Sequence, residues 1–511
     1  MQLGLIYSLH LAEAIVASSL QPQLYMLLRD EKLCGDVNSV YWTGVVETVF
    51  AIGSVAGLFW GWLGDRLGRR PVALAGMVGM AASCFAMGFS TGIVSCALIR
   101  GFAGLMGSSM RVMVWTMLGD VSDTSKAKAR NFSRMPLVAT GGIIGPLLQA
   151  LLANRFSNSE VWKKFPILSS QLACAGLMVL FFCANFFFLK ETLPSNDDCG
   201  VSDIGSFTDR YSGEYSTEKD IFLGQEPSSP TEQYTTYTYS YNDKPKPLGF
   251  SAAIRAPSLL VLLASFSFLC LHSASFDQLL PLLGNASIEN GGLGLPCSFL
   301  SLVVIGASSS AAVIVYTTFS KAVERVGLLR LYRVCCWLFP LIYVLTPVLS
   351  ALFRSSQTVI AISSAGSIFT KTLVTSFAQT LVVFLVTNAS PDAYSLGSIM
   401  GLMHSASVFR GFAVAGTGAA WLLGGDDGEG MGVMGLLLWC GMAGVAICGA
   451  VTAWFVKERA RVNRDWMASA LKWEICYEND SWVMEEEEGR RESRESWGGS
   501  EFGSDAESIV V

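Results

Sequence analysis

Two carboxylates and one arginine stand inside long apolar stretches of this chain, where the carboxylates could take up and release protons and the arginine could stabilise their charged form. Glu13 lies about 15 Å into the first stretch, and Glu47 and Arg100 lie in the outer thirds of the second and fourth. A carboxylate beside an arginine stays charged, whereas one separated from it in a dry pocket favours its protonated form. We therefore expect Glu13, Glu47 and Arg100 to form a proton-responsive group whose pairing changes with conformation. Each could instead be a static ion pair or a water-facing residue with no coupling role.

Further ionisable residues in the apolar stretches could face a bound solute. Arg111 follows Arg100 by about three helical turns, so both are expected to project from one helix face. Lys371 and His404 fall near the centres of the tenth and eleventh stretches, and Arg410 lies about two turns beyond His404. Lys371, His404 and Arg410 would suit an anionic or chelated substrate, although a lone cation often only bonds a helix carbonyl. The residues expected to line a substrate cavity are Arg111, Lys371, His404 and Arg410.

These residues must be positioned by helices that cross a membrane. Of the 511 residues, 51% are hydrophobic and only 15% are charged, whereas a soluble domain carries about 25% charged residues. Charge is costly in lipid and is therefore confined to loops and tails. A spanning helix needs about 20 mostly apolar residues. The sequence predicts twelve such spans, at residues 3–28, 41–62, 72–90, 93–117, 132–154, 166–189, 257–283, 297–318, 331–353, 358–386, 396–423 and 431–456.

The spans fall into two groups of six, separated by a polar stretch rich in Ser, Thr, Tyr and charged residues. Such a composition cannot bury a core, so a disordered linker is predicted there. The layout predicts an all-α polytopic membrane protein built from two pseudo-symmetric six-helix bundles. The predicted parts are an N-terminal bundle, a cytoplasmic linker, a C-terminal bundle and an acidic cytoplasmic tail, at residues 1–193, 194–249, 250–457 and 458–511.

The distribution of Lys and Arg predicts the orientation of the spans. These residues are concentrated in the loops after the second, fourth and eighth spans and in the segment after the twelfth. All four regions fall on one side of the membrane, which the positive-inside rule identifies as cytoplasmic. Both termini and the linker are expected on that side. The plasma membrane and the vacuolar membrane both fit a multi-pass protein of this kind.

The loop between the second and third spans combines glycine, aspartate and arginine in a regular spacing. Its glycines allow a tight turn and close helix contact, and Asp65 can pair with a neighbouring arginine. We expect that pair to latch one conformation until the two bundles move. An ordinary positive-inside loop would explain the arginines but not the spacing. The loop resembles the signature of the major facilitator superfamily, and the residues that carry the resemblance are Gly61, Gly64, Asp65, Arg66, Gly68, Arg69 and Arg70.

Other segments resemble further motifs of this superfamily. Arg100 begins an Arg-Gly-Phe-Ala-Gly segment similar to the second motif, whose arginine is linked to proton coupling. Gly141, Gly145 and Pro146 resemble the antiporter motif of its drug:proton antiporter-like members. The Leu-Ala-Glu segment that ends at Glu13 resembles the zinc-induced-facilitator-like branch of fungi and plants.

The resemblance implies a secondary active transporter in which protons drive export or sequestration of a small organic compound, drug, organic ion or metal chelate. Its expected partners are that small molecule, protons and the lipid bilayer, with no nucleic acid, and a monomer is expected. No cofactor, metal site or enzymatic activity is predicted, because the sequence has no nucleophile–base or metal-ligand constellation and no ATP-binding loop. Departures such as Gln149-Ala150 in the antiporter motif leave an alternative, a non-transporting sensor or scaffold that keeps the fold.

Overall fold

The computed structural model is helical throughout the described part of the chain, which contains no strand. The chain divides into two units, Met1–Val456 and Lys457–Val511, and all described residues belong to the first. The predicted linker and acidic tail lie outside the described residues, and the boundaries of the two bundles stay predictions. The described residues are 1–19, 36–90, 92–122, 124–152, 160–165, 167–193, 257–285, 293–352, 356–390, 395–413, 416 and 428–456.

In the first half, two of the six predicted spans are interrupted by a turn of 3-10 helix, and the others are continuous where they are described. The turn at Ser54–Ala56 separates α2 from α3, and the turn at Gly141–Ile143 separates α7 from α8. The helices are α1 (Gln2–Ser19), α2 (Asp36–Gly53), α3 (Gly57–Leu67), α4 (Arg69–Gly88), α5 (Ile93–Asp120), α6 (Ser125–Phe132), α7 (Met135–Thr140), α8 (Ile144–Leu152), α9 (Glu160–Lys164) and α10 (Leu168–Phe188).

The second half consists of longer helices. Pro340 and Pro347 lie inside one of them, as membrane helices tolerate. The helices are α11 (Pro257–Asn285), α12 (Cys297–Val326), α13 (Leu328–Leu352), α14 (Gln357–Ala389), α15 (Leu396–Ala406) and α16 (Gly428–Trp454).

Every one of the twelve predicted spans contains helix among the described residues. Ten helical segments in this part of the chain are long and apolar enough to cross a membrane. The predicted first and eleventh spans continue past α1 and α15 into residues that are not described. Large apolar side chains cover the outside of the helices, as at Val94 (73% exposed), Leu98 (69%), Phe187 (73%) and Leu302 (70%). An apolar outer surface of this kind suits contact with lipid rather than water.

The 3-10 turn in the fifth span brings that span against α1. The hydroxyl of Ser18 donates a hydrogen bond of 2.6 Å to the carbonyl oxygen of Gly142. A Cβ atom at Gly145 would overlap the carbonyl oxygen of Ile15, and one at Gly141 would also collide with α1. The glycines of the antiporter-like motif therefore permit backbone contact between the two helices, as small residues do in membrane bundles.

A second glycine-lined contact joins the two halves of the protein, between α3 and α15. A Cβ atom at Gly61 would overlap the carbonyl oxygen of Gly397, and one at Gly401 would overlap that of Gly57. The two helices thus touch backbone to backbone over at least one turn, and any larger residue at these positions would push the halves apart.

Candidate functional site

α1 and α5 meet at a buried ion pair. Nη2 of Arg111 donates a hydrogen bond to Oε1 of Glu13, whose side chain is 3% exposed. His10 lies one turn earlier on α1, with its Nδ1 3.9 Å from Oε2 of Glu13. That Oε2 and that Nδ1 have no hydrogen-bond partner among the described residues. One carboxylate oxygen of Glu13 is therefore available to a proton while the other is held by Arg111.

A second ion pair joins α5 to α2. Its arginine is Arg100, which lies on α5 eleven residues before Arg111. Nη2 of Arg100 lies 3.0 Å and 3.3 Å from the two carboxylate oxygens of Glu47, and Nε lies 3.2 Å from Oε1. The same guanidinium donates to the carbonyl oxygen of Ala17 in α1 and lies 4.2 Å above the ring of Phe50. The side chains of Arg100 and Glu47 are only 4% and 13% exposed, so each charge depends on the other for compensation.

The three residues predicted to form one proton-responsive group thus lie in two separate pairs. Arg100 pairs with Glu47, and Glu13 pairs with Arg111, which was expected only as a cavity residue. Both arginines contact α1, and their spacing on α5 had placed them on one helix face without identifying that neighbour. Sequence spacing identifies which face of α5 carries the arginines, but it cannot identify which carboxylate each one meets.

A cavity of about 660 Å³ lies between the two halves of the protein. Most of its wall is apolar or aromatic, with Trp115, Phe132 and Phe266 among the lining residues. Pro146 of the antiporter-like motif also lines it. The volume falls within the range of about 300–1,000 Å³ that is typical of small-molecule sites. The ionisable residues that line it are His10, Arg111, His404 and Arg410.

His404 and Arg410 of the second half are among the residues that line the cavity. The ring of His404 packs edge-on against Trp115, with 5.6 Å between ring centroids, and the residue is 3% exposed. Neither ring nitrogen of His404 has a hydrogen-bond partner among the described residues. Arg410 is exposed and forms no ion pair with any described residue.

Lys371, predicted to line the cavity, instead lies inside the second half. Its Nζ is 2.5 Å from Oδ1 of Asp277 and 3.3 Å from the carbonyl oxygen of Ser273. It also lies 4.9 Å above the ring of Phe276. The next residue, Thr372, lines the cavity, and adjacent helical residues point about 100° apart. The expectation that Lys371 faces the substrate is therefore not met by its geometry.

The predicted loop at residues 61–71 is the end of α3, Gly68 and the first turn of α4. It lies at one end of the helices, here called the basic end, and it contacts the second half. Asp65 accepts hydrogen bonds from the backbone N–H of Gly397 at 2.9 Å and from that of Ser398 at 2.6 Å. The hydroxyl of Ser398 donates to the same carboxylate at 2.6 Å. These donors lie in the first turn of α15, where free N–H groups and the helix dipole favour an anion.

Arg69 connects this carboxylate to a second one in the first half. Its Nη1 donates to Oδ1 of Asp65, and its Nε lies 3.3 Å from Oδ2 of Asp120 at the end of α5. Arg69 is completely buried, and Oδ2 of Asp120 also accepts from the hydroxyl of Thr192 at 3.1 Å. The contacts of Asp65, Arg69 and Asp120, here called the latch, therefore form a chain of alternating charges. The sequence had predicted a single Asp–Arg pair.

The first turn of α4 is capped by a carboxylate from the end of the first half. Glu191 accepts from the backbone N–H of Arg69 at 2.7 Å and from that of Arg70 at 3.0 Å. Gly68 precedes this turn with a φ of +108°, and Oε2 of Glu191 occupies the space that a Cβ atom there would need. A side chain at Gly68 would therefore be strained and would also displace the cap.

The other residues of the signature loop have separate contacts. The guanidinium of Arg66 lies 4.2 Å above the ring of Trp62, and Nη2 of Arg70 donates to the carbonyl oxygen of Phe186 at 2.6 Å. Gly64 packs against Met113 of α5. None of these contacts reaches the second half, so the hydrogen bonds that this segment forms with the second half come from Asp65.

Sequence reasoning missed three residues of the latch and one of the cavity: Asp120, Glu191, Ser398 and Trp115. Glu191 and Asp120 could have been found as acidic residues at the ends of apolar runs, where they can face the basic loop. Ser398 carries no such signal, because its role comes from the N-terminus of α15.

Comparison with known proteins shows the family to which these features correspond. The sequence model of the Major Facilitator Superfamily matches residues 6–415. The chain is 26% identical to "Major facilitator superfamily multidrug transporter mfsB" of Aspergillus fumigatus, over 89% of this chain and 83% of that protein. It is 27% identical to "Major facilitator-type transporter psiT2" of Psilocybe cyanescens, over 69% of each.

A solved structure resembles the fold over nearly its whole length. The human organic anion transporter MFSD10 superposes with a TM-score of 0.61 and 15% identity, covering 88% of this chain and 98% of that one. This likeness, together with the family match, confirms the predicted fold of twelve helices in two bundles.

Proposed function

Because the chain belongs to the major facilitator superfamily, we propose that this membrane transporter is a proton-coupled secondary transporter that exports or sequesters a small organic compound. A drug, an organic ion or a metal chelate would fit the description. The observation that carries the proposal is the contact of Glu13 with Arg111, because Arg111 also lines the cavity between the two halves. A proton site and a solute site thus share one side chain.

Alternating access follows from the contacts between the halves. At the basic end, Asp65 bonds to α15 and the glycines of α3 and α15 touch. Rocking of the halves would break these bonds and expose the cavity at that end. In this proposal the basic end and both termini face the cytoplasm. The protein spans the plasma membrane or the vacuolar membrane.

Coupling arises because Glu13 positions Arg111. While Glu13 is ionised it holds Arg111 through one donor, and the remaining donors of the guanidinium, which lines the cavity, can hold a solute. A proton that binds the carboxylate of Glu13 removes its charge and weakens its bond to Arg111, which favours release of the solute. Release of the proton restores the ion pair and the solute site, so the proton and the solute bind alternately. Glu47 and Arg100 form a second pair that conformational change could open in the same way.

The experiment uses the full-length protein in sealed vesicles with a pH-sensitive dye inside and an imposed proton gradient. A panel of organic cations, organic anions and zinc-chelating ligands is added to wild type, Glu13→Gln and Arg100→Gln. The matched control is Arg325→Gln, because Arg325 is exposed at the end of α12 and is not among the residues lining the cavity.

We expect at least one compound to dissipate the gradient with wild type and the Arg325 variant but not with the other two. If folded wild-type protein moves no proton with any compound, and radiolabelled uptake is also flat, the proposal is wrong and the sensor or scaffold alternative is favoured.

A further inference from the structure

We infer that the central cavity binds an organic anion, whose acidic group is held by Arg410 and His404 while its apolar part lies against Trp115. The inference rests on the proposed transport function and narrows its substrate to one charge class. It is carried by the charges of the cavity wall and by two side chains that have no hydrogen-bond or ion-pair partner among the described residues.

The cavity wall carries positive side chains but no negative ones. None of the described residues that line it is Asp or Glu. Glu13 is not a lining residue and pairs with Arg111, so it offsets only one of the two arginine charges. An organic cation entering the cavity would meet no carboxylate and would lose its hydration without compensation. An organic anion would meet the uncompensated guanidinium of Arg410.

Arg410 is suited to hold a carboxylate. It lies in the helical residues 409–413 that follow α15 and a turn at Ser407 and Val408, and its backbone N–H donates to the carbonyl oxygen of Ser407 at 3.0 Å. The side chain is exposed, lines the cavity and forms no ion pair with a described residue. A guanidinium presents its donors in a planar fork that matches both oxygens of a carboxylate.

His404 supplies a second donor one to two turns away on the same segment. It is 3% exposed, yet neither of its ring nitrogens is paired within the described part of the chain. A buried ring nitrogen without a partner lowers stability, and buried polar groups in proteins are usually hydrogen-bonded. A ligand oxygen in the cavity would accept from this ring, which makes the unpaired histidine a feature expected of an anion site.

The remaining wall suits an apolar body. Trp115, Phe132, Phe266 and Pro136 contribute flat apolar surface, and the volume of about 660 Å³ accepts a molecule of drug size. The preferred ligand is therefore amphipathic, with an aromatic or aliphatic body and one acidic group.

The test compares three probes that share a ring and differ in charge: 2-naphthoate, 2-naphthamide and 2-naphthylmethylammonium. Calorimetric titration of the purified full-length protein gives Kd without a membrane or a proton gradient. We expect 2-naphthoate to bind at least about 10-fold more tightly than 2-naphthamide, and the ammonium to bind more weakly still, because hydrogen bonds to charged groups are the stronger ones.

Charge variants locate the site. Arg410→Glu should weaken 2-naphthoate about 100-fold and make the ammonium the better ligand, whereas Arg410→Lys should cost about 10-fold. Arg325→Glu is the matched control, because it reverses an exposed charge at the end of α12, and Arg325 is not a lining residue. It should leave all three Kd values unchanged.

The inference is overturned if wild type prefers the ammonium, if no probe binds at millimolar concentration, or if Arg410→Glu retains wild-type affinity for 2-naphthoate. These outcomes are independent of the proton-flux experiment. If the protein moves protons with organic cations, the proposed function stands and this inference is wrong. If it binds 2-naphthoate through Arg410 but moves no protons, this inference stands and the proposed function is wrong.

Discussion

Asp65 and Ser398 join the two halves of the protein at the basic end, since the carboxylate accepts hydrogen bonds of 2.6 Å from both the backbone N–H and the hydroxyl of Ser398. The two residues are separated by 333 positions in the sequence. Because the acceptor is charged and the donors lie at a helix N-terminus, this bond is among the stronger kinds in proteins. It stabilises the arrangement in which the basic end is closed.

Loss of the Asp65 charge should open the basic end. Asp65→Asn removes a charge-assisted bond that contributes about 1.5–3 kcal/mol, enough to shift a two-state equilibrium about 10-fold or more. Closure can be measured through Lys126 and Glu324, whose Nζ and Oε1 lie 3.3 Å apart. A zero-length carbodiimide joins such a pair covalently, and mass spectrometry of the linked peptides gives the yield. We expect the variant to lower that yield several-fold.

Arg66→Gln is the control for this experiment. Arg66 belongs to the same segment, but it stacks on Trp62 and forms no hydrogen bond or ion pair with the second half among the described residues. Its replacement should leave the yield of the Lys126–Glu324 link near that of wild type. An Asp65→Asn variant that cross-links as well as wild type would show that the bond to Ser398 does not keep the basic end closed.

The glycine contact between α3 and α15 should be sensitive to a single methyl group. In Gly61→Ala the new Cβ would overlap the carbonyl oxygen of Gly397, so the helices must separate at a cost of about 1–3 kcal/mol. Gly176→Ala makes the same change in α10, where nothing lies within 4 Å. The control should keep or raise Tm because alanine favours helix by about 1 kcal/mol. Equal Tm values for the two variants would contradict the close contact at Gly61.

The features of the fold that depend on local sequence could be predicted, whereas those that depend on packing could not. The twelve spans depend on local hydropathy, so every one contains helix where it is described. The signature loop depends on local Gly/Asp/Arg spacing, so Asp65 could be predicted to pair with a neighbouring arginine, which the structure identifies as Arg69. Ser398 and Glu191 could not be placed from the sequence, because their roles come from backbone N–H groups brought together by packing.

The pair of Arg100 and Glu47 should show the behaviour of a buried ion pair. Arg100→Gln leaves Glu47 charged and mostly buried without its partner, which costs about 3–5 kcal/mol. The double variant Arg100→Gln/Glu47→Gln removes both charges, so its Tm should recover most of the loss. Glu324→Gln, which removes a surface pair, should change stability by about 0–1 kcal/mol. A double variant that is no more stable than Arg100→Gln would contradict mutual compensation.

The site could be predicted less completely than the fold. Glu13, Arg100 and His404 stand in apolar stretches of the sequence, which marks them as functional candidates. Their positions do not reveal which residues they contact. Lys371 shows this limit most clearly. It is adjacent to Thr372 on α14, but the two side chains point about 100° apart, so Thr372 lines the cavity and Lys371 contacts Asp277. The charges that face each other are decided by helix rotation and packing, which hydropathy does not report.

The proposed mechanism requires Glu13 to couple proton movement to solute exchange. This coupling is tested most directly in sealed vesicles, with a compound of the panel that causes proton movement when the wild-type protein is present. Exchange of labelled for unlabelled compound is measured without a gradient, and accumulation is measured with one. We predict that Glu13→Gln keeps exchange but loses gradient-driven accumulation. A Glu13→Gln variant that accumulates the compound as wild type does would contradict the account.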